Sequence, residues 1–252
     1  MSQESRKIYP DADALAHAAA VELLRLAQVS VAEKGIFTLA LAGGSTPRKL
    51  YTLLGSDPAF AKFPWQETHL FFGDERHVPP NHIDSNFLMV STTLLDSGLV
   101  PAGNVHRVRA ELPDANMAAL DYDVELHSFF TPGMRTDTLP RFDVILLGMG
   151  PDGHTASLFP GSKGLEEKER WVIANWVEKF NSARITFTFP VLNAARKVLL
   201  LVAGADKTDM IREVLFVNRR EIIYPVQMVQ PVDGEKVWMM DQAAAERLPK
   251  TL

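Results

Sequence analysis

The sequence predicts an α/β protein built on a largely parallel sheet covered by helices on both faces. Three observations predict it. Short apolar runs recur along the chain, each is halted by glycine or polar residues, and amphipathic helical stretches separate them. The 252 residues are 46% hydrophobic and 23% charged, an ordinary balance for a chain that buries a sizeable core.

The first helical stretch spans 12–33, with Ala16, Leu23, Leu24 and Ala27 at spacings that suit one buried face. Residues 37–42 form an apolar strand that Gly43, Gly44 and Ser45 stop, and Pro47 suits the first turn of a helix over 48–54. The same grammar returns at 69–72 before Gly73, at 143–147 before Gly148, and at 197–202 before Gly204. Asp206 suits the N-cap of a helix over 206–216. Further helices are expected over 86–95 and 115–129, and a last strand over 237–240. Residues 79–84 and 131–140 are turn-rich excursions. The alternating stretch 184–189 suits a strand, which Pro190 assigns to an edge or to a strand end. No linker, repeat or low-complexity segment divides 1–252, which favours one compact domain. The tryptophans, Trp65, Trp171, Trp176 and Trp238, are expected in core packing.

Composition removes several chemistries. There is no cysteine, hence no disulfide, thiolate nucleophile or cysteine-ligated metal. The net charge is -5 with no basic tract, so neither a nucleic-acid partner nor a dedicated surface for one is expected. The N-terminus lacks the apolar core of a signal peptide, and no run is judged long enough to span a membrane. A cytoplasmic protein with no membrane partner follows as the expectation.

Three polar constellations follow apolar strands, where α/β enzymes bind ligands. In 41–47, Gly43 and Gly44 permit close backbone approach, and Ser45 and Thr46 offer amides and hydroxyls at a helix start, a setting suited to phosphate. The competing reading is a tight turn with a hydroxyl cap. In 71–79, Asp74, Glu75, Arg76 and His77 emerge together; Arg76 can clasp a phosphate, and Asp74 or Glu75 can orient that arginine or a sugar hydroxyl. A surface ion pair or a metal set of Asp74, Glu75 and His77 are the alternatives, the latter without diagnostic spacing. In 145–161, His154 is placed at a helix start whose positive end favours neutral imidazole, with Asp152 able to orient the ring or a substrate hydroxyl. A capping aspartate beside a structural histidine is the alternative. Ser157 lacks the nucleophile-elbow glycines and is expected to face a helix interior or cap locally. Lys207 and Arg184 are further cations that could reach a phosphate, a solvated side chain being the competing reading for each.

These segments together resemble the 6-phosphogluconolactonase family and, more distantly, the glucosamine-6-phosphate deaminases and isomerases. The resemblance spans 41–47, 71–87, 144–161, 184–196 and 202–207. It implies a doubly wound, Rossmann-like fold without a nucleotide, and hydrolysis of 6-phospho-D-glucono-1,5-lactone in the oxidative pentose phosphate pathway. It further implies His154 as general base with Asp152 beside it. Gly43, Gly44, Ser45, Thr46, Arg76, Arg184 and Lys207 are implied around the phosphorylated substrate, Asp74 joins them from the reading of its segment, and no metal or organic cofactor is expected. A monomer is expected, with a homodimer as the alternative. Members of the deaminase branch carry a tyrosine at the place of Arg76 and a glutamate at the place of Phe159. Phe159 cannot relay a proton, which favours the lactonase over an isomerase. A non-catalytic sugar-phosphate-binding protein is the remaining reading.

Overall fold

The computed structural model describes residues 3–132, 138–217 and 223–249. In chain order the elements are β1 (Gln3–Tyr9), α1 (Ala12–Lys34), β2 (Phe37–Leu41), α2 (Ser45–Ser56), β3 (Thr68–Phe72), β4 (Asp74–Arg76), α3 (Asn86–Thr93), β5 (Val105–His106) and α4 (Ala115–Phe130). There follow β6 (Val144–Leu147), β7 (Val172–Val177), β8 (Ser182–Phe187), α5 (Phe189–Ala194), β9 (Lys197–Val202), α6 (Thr208–Phe216) and β10 (Glu235–Asp241).

Among the described residues, seven strands pair in parallel in the order β1-β10-β9-β6-β2-β3-β5, and helices flank both faces. This is the doubly wound arrangement that the strand-helix alternation predicts. Every residue of β2 and β6 is buried, as central strands covered on both faces require. The chain runs outward from β2 through β3 to β5, then returns and runs the other way from β6 through β9 to β10. The order therefore reverses between β2 and β6. A crevice opens beyond their carboxyl ends, the place where open α/β sheets bind ligands.

α1 begins where the Asp11 carboxylate accepts the Asp13 and Ala14 amides, and ends where Gly35 takes a left-handed φ of 74°. Its buried stripe, with Leu15, Ala19 and Leu23, belongs to the core, and the helix packs against α2 and β10. With 23 residues and a window of mean hydropathy 1.3, α1 does meet the length and composition for crossing a membrane, which corrects the expectation from sequence.

Other expectations change as well. A second sheet of three antiparallel strands, β4-β8-β7, lies beside the first, and the sequence reading anticipates only its strand β8, as 184–189. β8 is its central strand and not an edge; of the two expectations for Pro190 the strand end holds, since it falls just beyond β8, in α5, and leaves the ladder intact. β1 is an edge strand whose mixed sequence carries no apolar run. Asp206 does not cap a helix with its side chain: residues 205–207 form a 3-10 turn, and α6 starts at Thr208. Trp65, Trp171 and Trp238 are buried, whereas Trp176 is 49% exposed. Of the excursion over 131–140, residues 133–137 lie outside the described residues.

Candidate active site

At the end of β2 the buried Tyr51 hydroxyl donates to the Ala42 carbonyl and accepts the Ala42 amide, each at 2.9 Å. These two bonds hold the chain as it enters Gly43-Gly44. A Cβ on Gly43 would lie 2.1 Å from Asn86 Oδ1, and Gly44 has a φ of 107°, so both positions need glycine. α2 then starts at Ser45 without a side-chain cap. Its first amides have no intrahelical partner and carry the positive end of the helix. Gly43 and Gly44 border a cleft of ≈240 Å³ at the switch point; Ser45 and Thr46 sit on the adjoining turn and are not part of its wall.

β3 kinks at Gly73 into β4. Glu75 turns inward, accepting the amides of Arg76, Asn86 and Phe87 and the Ser85 hydroxyl, and so organises the start of α3. Burial pushes its carboxyl up, with partial relief from those amides. It is a structural group and does not orient a guanidinium side chain. Asp74 is buried at the cleft wall, where Oδ2 accepts the Ser157 hydroxyl at 2.6 Å. Ser157 therefore neither faces a helix interior nor caps one. His77 turns away, its Nε2 2.9 Å from the Leu112 carbonyl. Among the described residues no three His, Cys, Asp or Glu side chains gather to hold a metal ion.

Arg76 borders the cleft and donates from Nη1 to the Asp84 carbonyl at 2.5 Å. Arg184 stands opposite it in the β4–β8 ladder. The Nε of each is buried without a hydrogen-bond partner. Burial pulls Arg184 below its ordinary value, and the neighbouring Arg76 charge pulls the same way. A pair of partly buried like charges with unused donors is costly unless an anion joins it. Lys207 enters the cleft from the end of β9, its Nζ 3.0 Å from Asp206 Oδ2.

Beyond β6, Gly148 to Gly150 and His154 form the opposite wall. The helix expected to open at His154 is not there: residues 151–160 are turns, with Gly153 and Ala156 at positive φ. The helix-end argument for a neutral imidazole falls with it. What Asp152 supplies is orientation, since its Oδ1 lies 2.5 Å from His154 Nδ1. A carboxylate there dictates the Nδ1–H tautomer and leaves the lone pair on Nε2. Burial alone would raise the Asp152 carboxyl, but its bonds to His154 outweigh that and hold it below the ordinary value. Lys179 approaches the other oxygen at 3.5 Å. Phe159 stacks on the imidazole with centroids 4.0 Å apart. Neither that contact nor the Asp74–Ser157 bond is anticipated from sequence, because each depends on how the loop folds back.

Residues 10–238 match the family of glucosamine-6-phosphate isomerases and 6-phosphogluconolactonases. The chain is 39% identical over 244 residues to the 6-phosphogluconolactonase of Nostoc sp., covering 96% of this chain and 97% of that one. It is 40% identical over 219 residues to the Synechocystis sp. 6-phosphogluconolactonase, covering 87% and 88%. Its fold superposes on the 6-phosphogluconolactonase of Trypanosoma brucei with a TM-score of 0.86 at 26% identity, over 99% and 100% of the two chains. A monomeric glucosamine-6-phosphate deaminase shares the fold, with a TM-score of 0.76 at 18% identity over 96% and 99%.

Proposed function

The chain belongs to the glucosamine-6-phosphate isomerase/6-phosphogluconolactonase family, and from that premise we propose that it hydrolyses 6-phospho-D-glucono-1,5-lactone to 6-phospho-D-gluconate. One observation carries the reading. A single cleft presents an aspartate-oriented imidazole on one wall and, on another, Lys207 and Arg76 with its buried, unpaired Nε; Arg184 stands behind Arg76, outside the cleft wall.

Arg76, Arg184, Lys207 and the amides opening α2 hold the 6-phosphate; Gly43 and Gly44 let the backbone approach it. Anchoring the remote phosphate fixes the ring so that C1 meets His154, converting binding energy into orientation. Nε2 of His154 takes a proton as water attacks C1, and Asp152 stabilises the imidazolium that forms. The tetrahedral intermediate then breaks its bond between C1 and the ring oxygen. The imidazolium returns its proton to that leaving oxygen, which yields the open-chain acid and the original histidine. The balance is one lactone and one water in, one hydroxy acid out. Phe159, packed on the base where an isomerase would need a proton carrier, supports hydrolysis over isomerisation.

The test compares catalysed and spontaneous opening of freshly made 6-phosphogluconolactone, with unphosphorylated gluconolactone as control. Acceleration confined to the phosphorylated lactone, and lost in His154→Ala, is the expected result. A rate no faster than spontaneous opening rejects the reading, and amino-sugar phosphates become the next substrates to assay.

A further inference from the structure

The His154 imidazole is confined by two neighbours. A Cβ placed on Gly150 would fall 2.0 Å from its Nδ1 and Cε1, so the Gly150 backbone presses against one side. Phe159 covers the ring as well, at an interplanar angle of 24°. With Nδ1 committed to Asp152, the imidazole has lost the freedom to turn about its Cβ–Cγ bond.

Phe159 is itself backed. Phe180, in the turn joining β7 to β8, meets it edge to face at 5.8 Å and 78°. The opposite role of Phe180 is electrostatic, because the Arg184 guanidinium lies 5.1 Å from its ring centroid. Imidazole, Phe159, Phe180 and Arg184 thus form one continuous chain of contacts. It runs from the base of the reaction to a cation of the anion anchor on β8. Lys179 in the same turn adds its contact to Asp152.

Resting on the lactonase reading for its chemistry, we propose that Phe159 and Phe180 are positioning residues. Phe159 fixes the plane of the His154 imidazole, and Phe180 ties that plane to Arg184, so base and phosphate anchor keep a set separation before substrate arrives. Proton transfer and attack at a ring carbon tolerate little misplacement, and a shift of about 1 Å can cost about 100-fold in rate. Neither phenyl ring takes part in bond making. Their contribution lies in holding two groups that do.

The test uses Phe159→Leu, which keeps apolar bulk but removes the flat face, with Phe159→Tyr as the conservative partner and Phe180→Leu as the second link. Phe159→Leu is expected to lower kcat by about 10-fold or more while KM moves by less than about 2-fold. Phe159→Tyr is expected to recover most of the lost kcat. Phe180→Leu is expected to raise KM for the phosphorylated lactone more than it lowers kcat. A second readout needs no turnover. In the NMR spectrum of the folded protein, the His154 Cε1–H proton should shift downfield in Phe159→Leu as the ring current is lost, and return in Phe159→Tyr. Wild-type kcat in Phe159→Leu, or a resonance that does not move, overturns the proposal. If the wild-type protein opens no lactone, the lactonase reading falls alone, and the resonance comparison still decides whether Phe159 covers the imidazole.

Discussion

Arg76 and Arg184 face each other across the β4–β8 ladder, and each keeps a buried Nε with no hydrogen-bond partner. An anion placed between them relieves repulsion and supplies the missing acceptors together. Inorganic phosphate should therefore raise the melting temperature of the protein. The gain approaches about 2.7 kcal/mol once phosphate is at about 100 times its dissociation constant. Arg184→Gln should remove most of that gain and raise KM for the phosphorylated lactone by roughly 10- to 100-fold, the range for charge-assisted hydrogen bonds. A phosphate-dependent rise of the same size in Arg184→Gln would place the anion elsewhere.

Asp152→Asn tests the other wall of the cleft. An amide can still accept the Nδ1 proton, but it carries no charge to stabilise the imidazolium and no partner for Lys179. kcat should drop by roughly 100- to 10,000-fold, with KM changed little. Steady-state kinetics on fresh lactone read this directly. A loss confined to KM would make Asp152 a substrate-binding group instead of the partner of the base.

Tyr51→Phe addresses the glycine turn from below. The hydroxyl satisfies both the amide and the carbonyl of Ala42, at a site with no solvent access for Tyr51. Removing it leaves two buried backbone groups unpaired, at a cost of about 1–3 kcal/mol in urea unfolding. Because Ala42 leads into Gly43-Gly44, KM should rise as well. Unchanged stability would mean that the turn finds other partners for Ala42.

What the sequence reveals here, and what it hides, follows from the range of the interactions. The ends of β2, β6 and β9 are legible because a buried parallel strand is an unbroken apolar run, and the glycines that stop it are local. His154 and Lys207 follow such ends, Arg76 lies beyond β3, and the three meet in one cleft. The small sheet is hidden because β4 has three residues and its partner β8 comes from far along the chain, pairing Asp74 with Thr186. The His154 segment misleads for a related reason. Its Asp-Gly start resembles a helix opening, yet Gly153 and Ala156 sit at positive φ, and the Gly150 amide bonds back to the His154 carbonyl. Such a turn is decided by what packs on it, including Tyr224 against Gly153 and Asp74 against Ser157, and neither neighbour is near in sequence.

Away from the cleft, His69 provides a test of the fold itself. Its Nδ1 lies 3.0 Å from His106 Nε2, and His106 Nδ1 lies 2.6 Å from Glu125. The Phe71 ring stacks on His106, and Phe129 packs against both imidazoles. Burial lowers the His69 value below its ordinary 6.5, and the neighbouring His106 lowers it further. The folded protein therefore binds a proton at His69 less readily than the unfolded chain does. The stability this group contributes is complete above about pH 6.5 and declines as the pH falls from there toward the lowered value. His69→Gln removes the contribution. Plotted as the difference in melting temperature between wild type and variant, which cancels the histidines that do not touch His69, the wild-type advantage should shrink as the pH falls below about 6.5. A difference that stays constant across that range would show that His69 titrates alike in the folded and unfolded chains, and that its contact with His106 carries no pH-dependent stability.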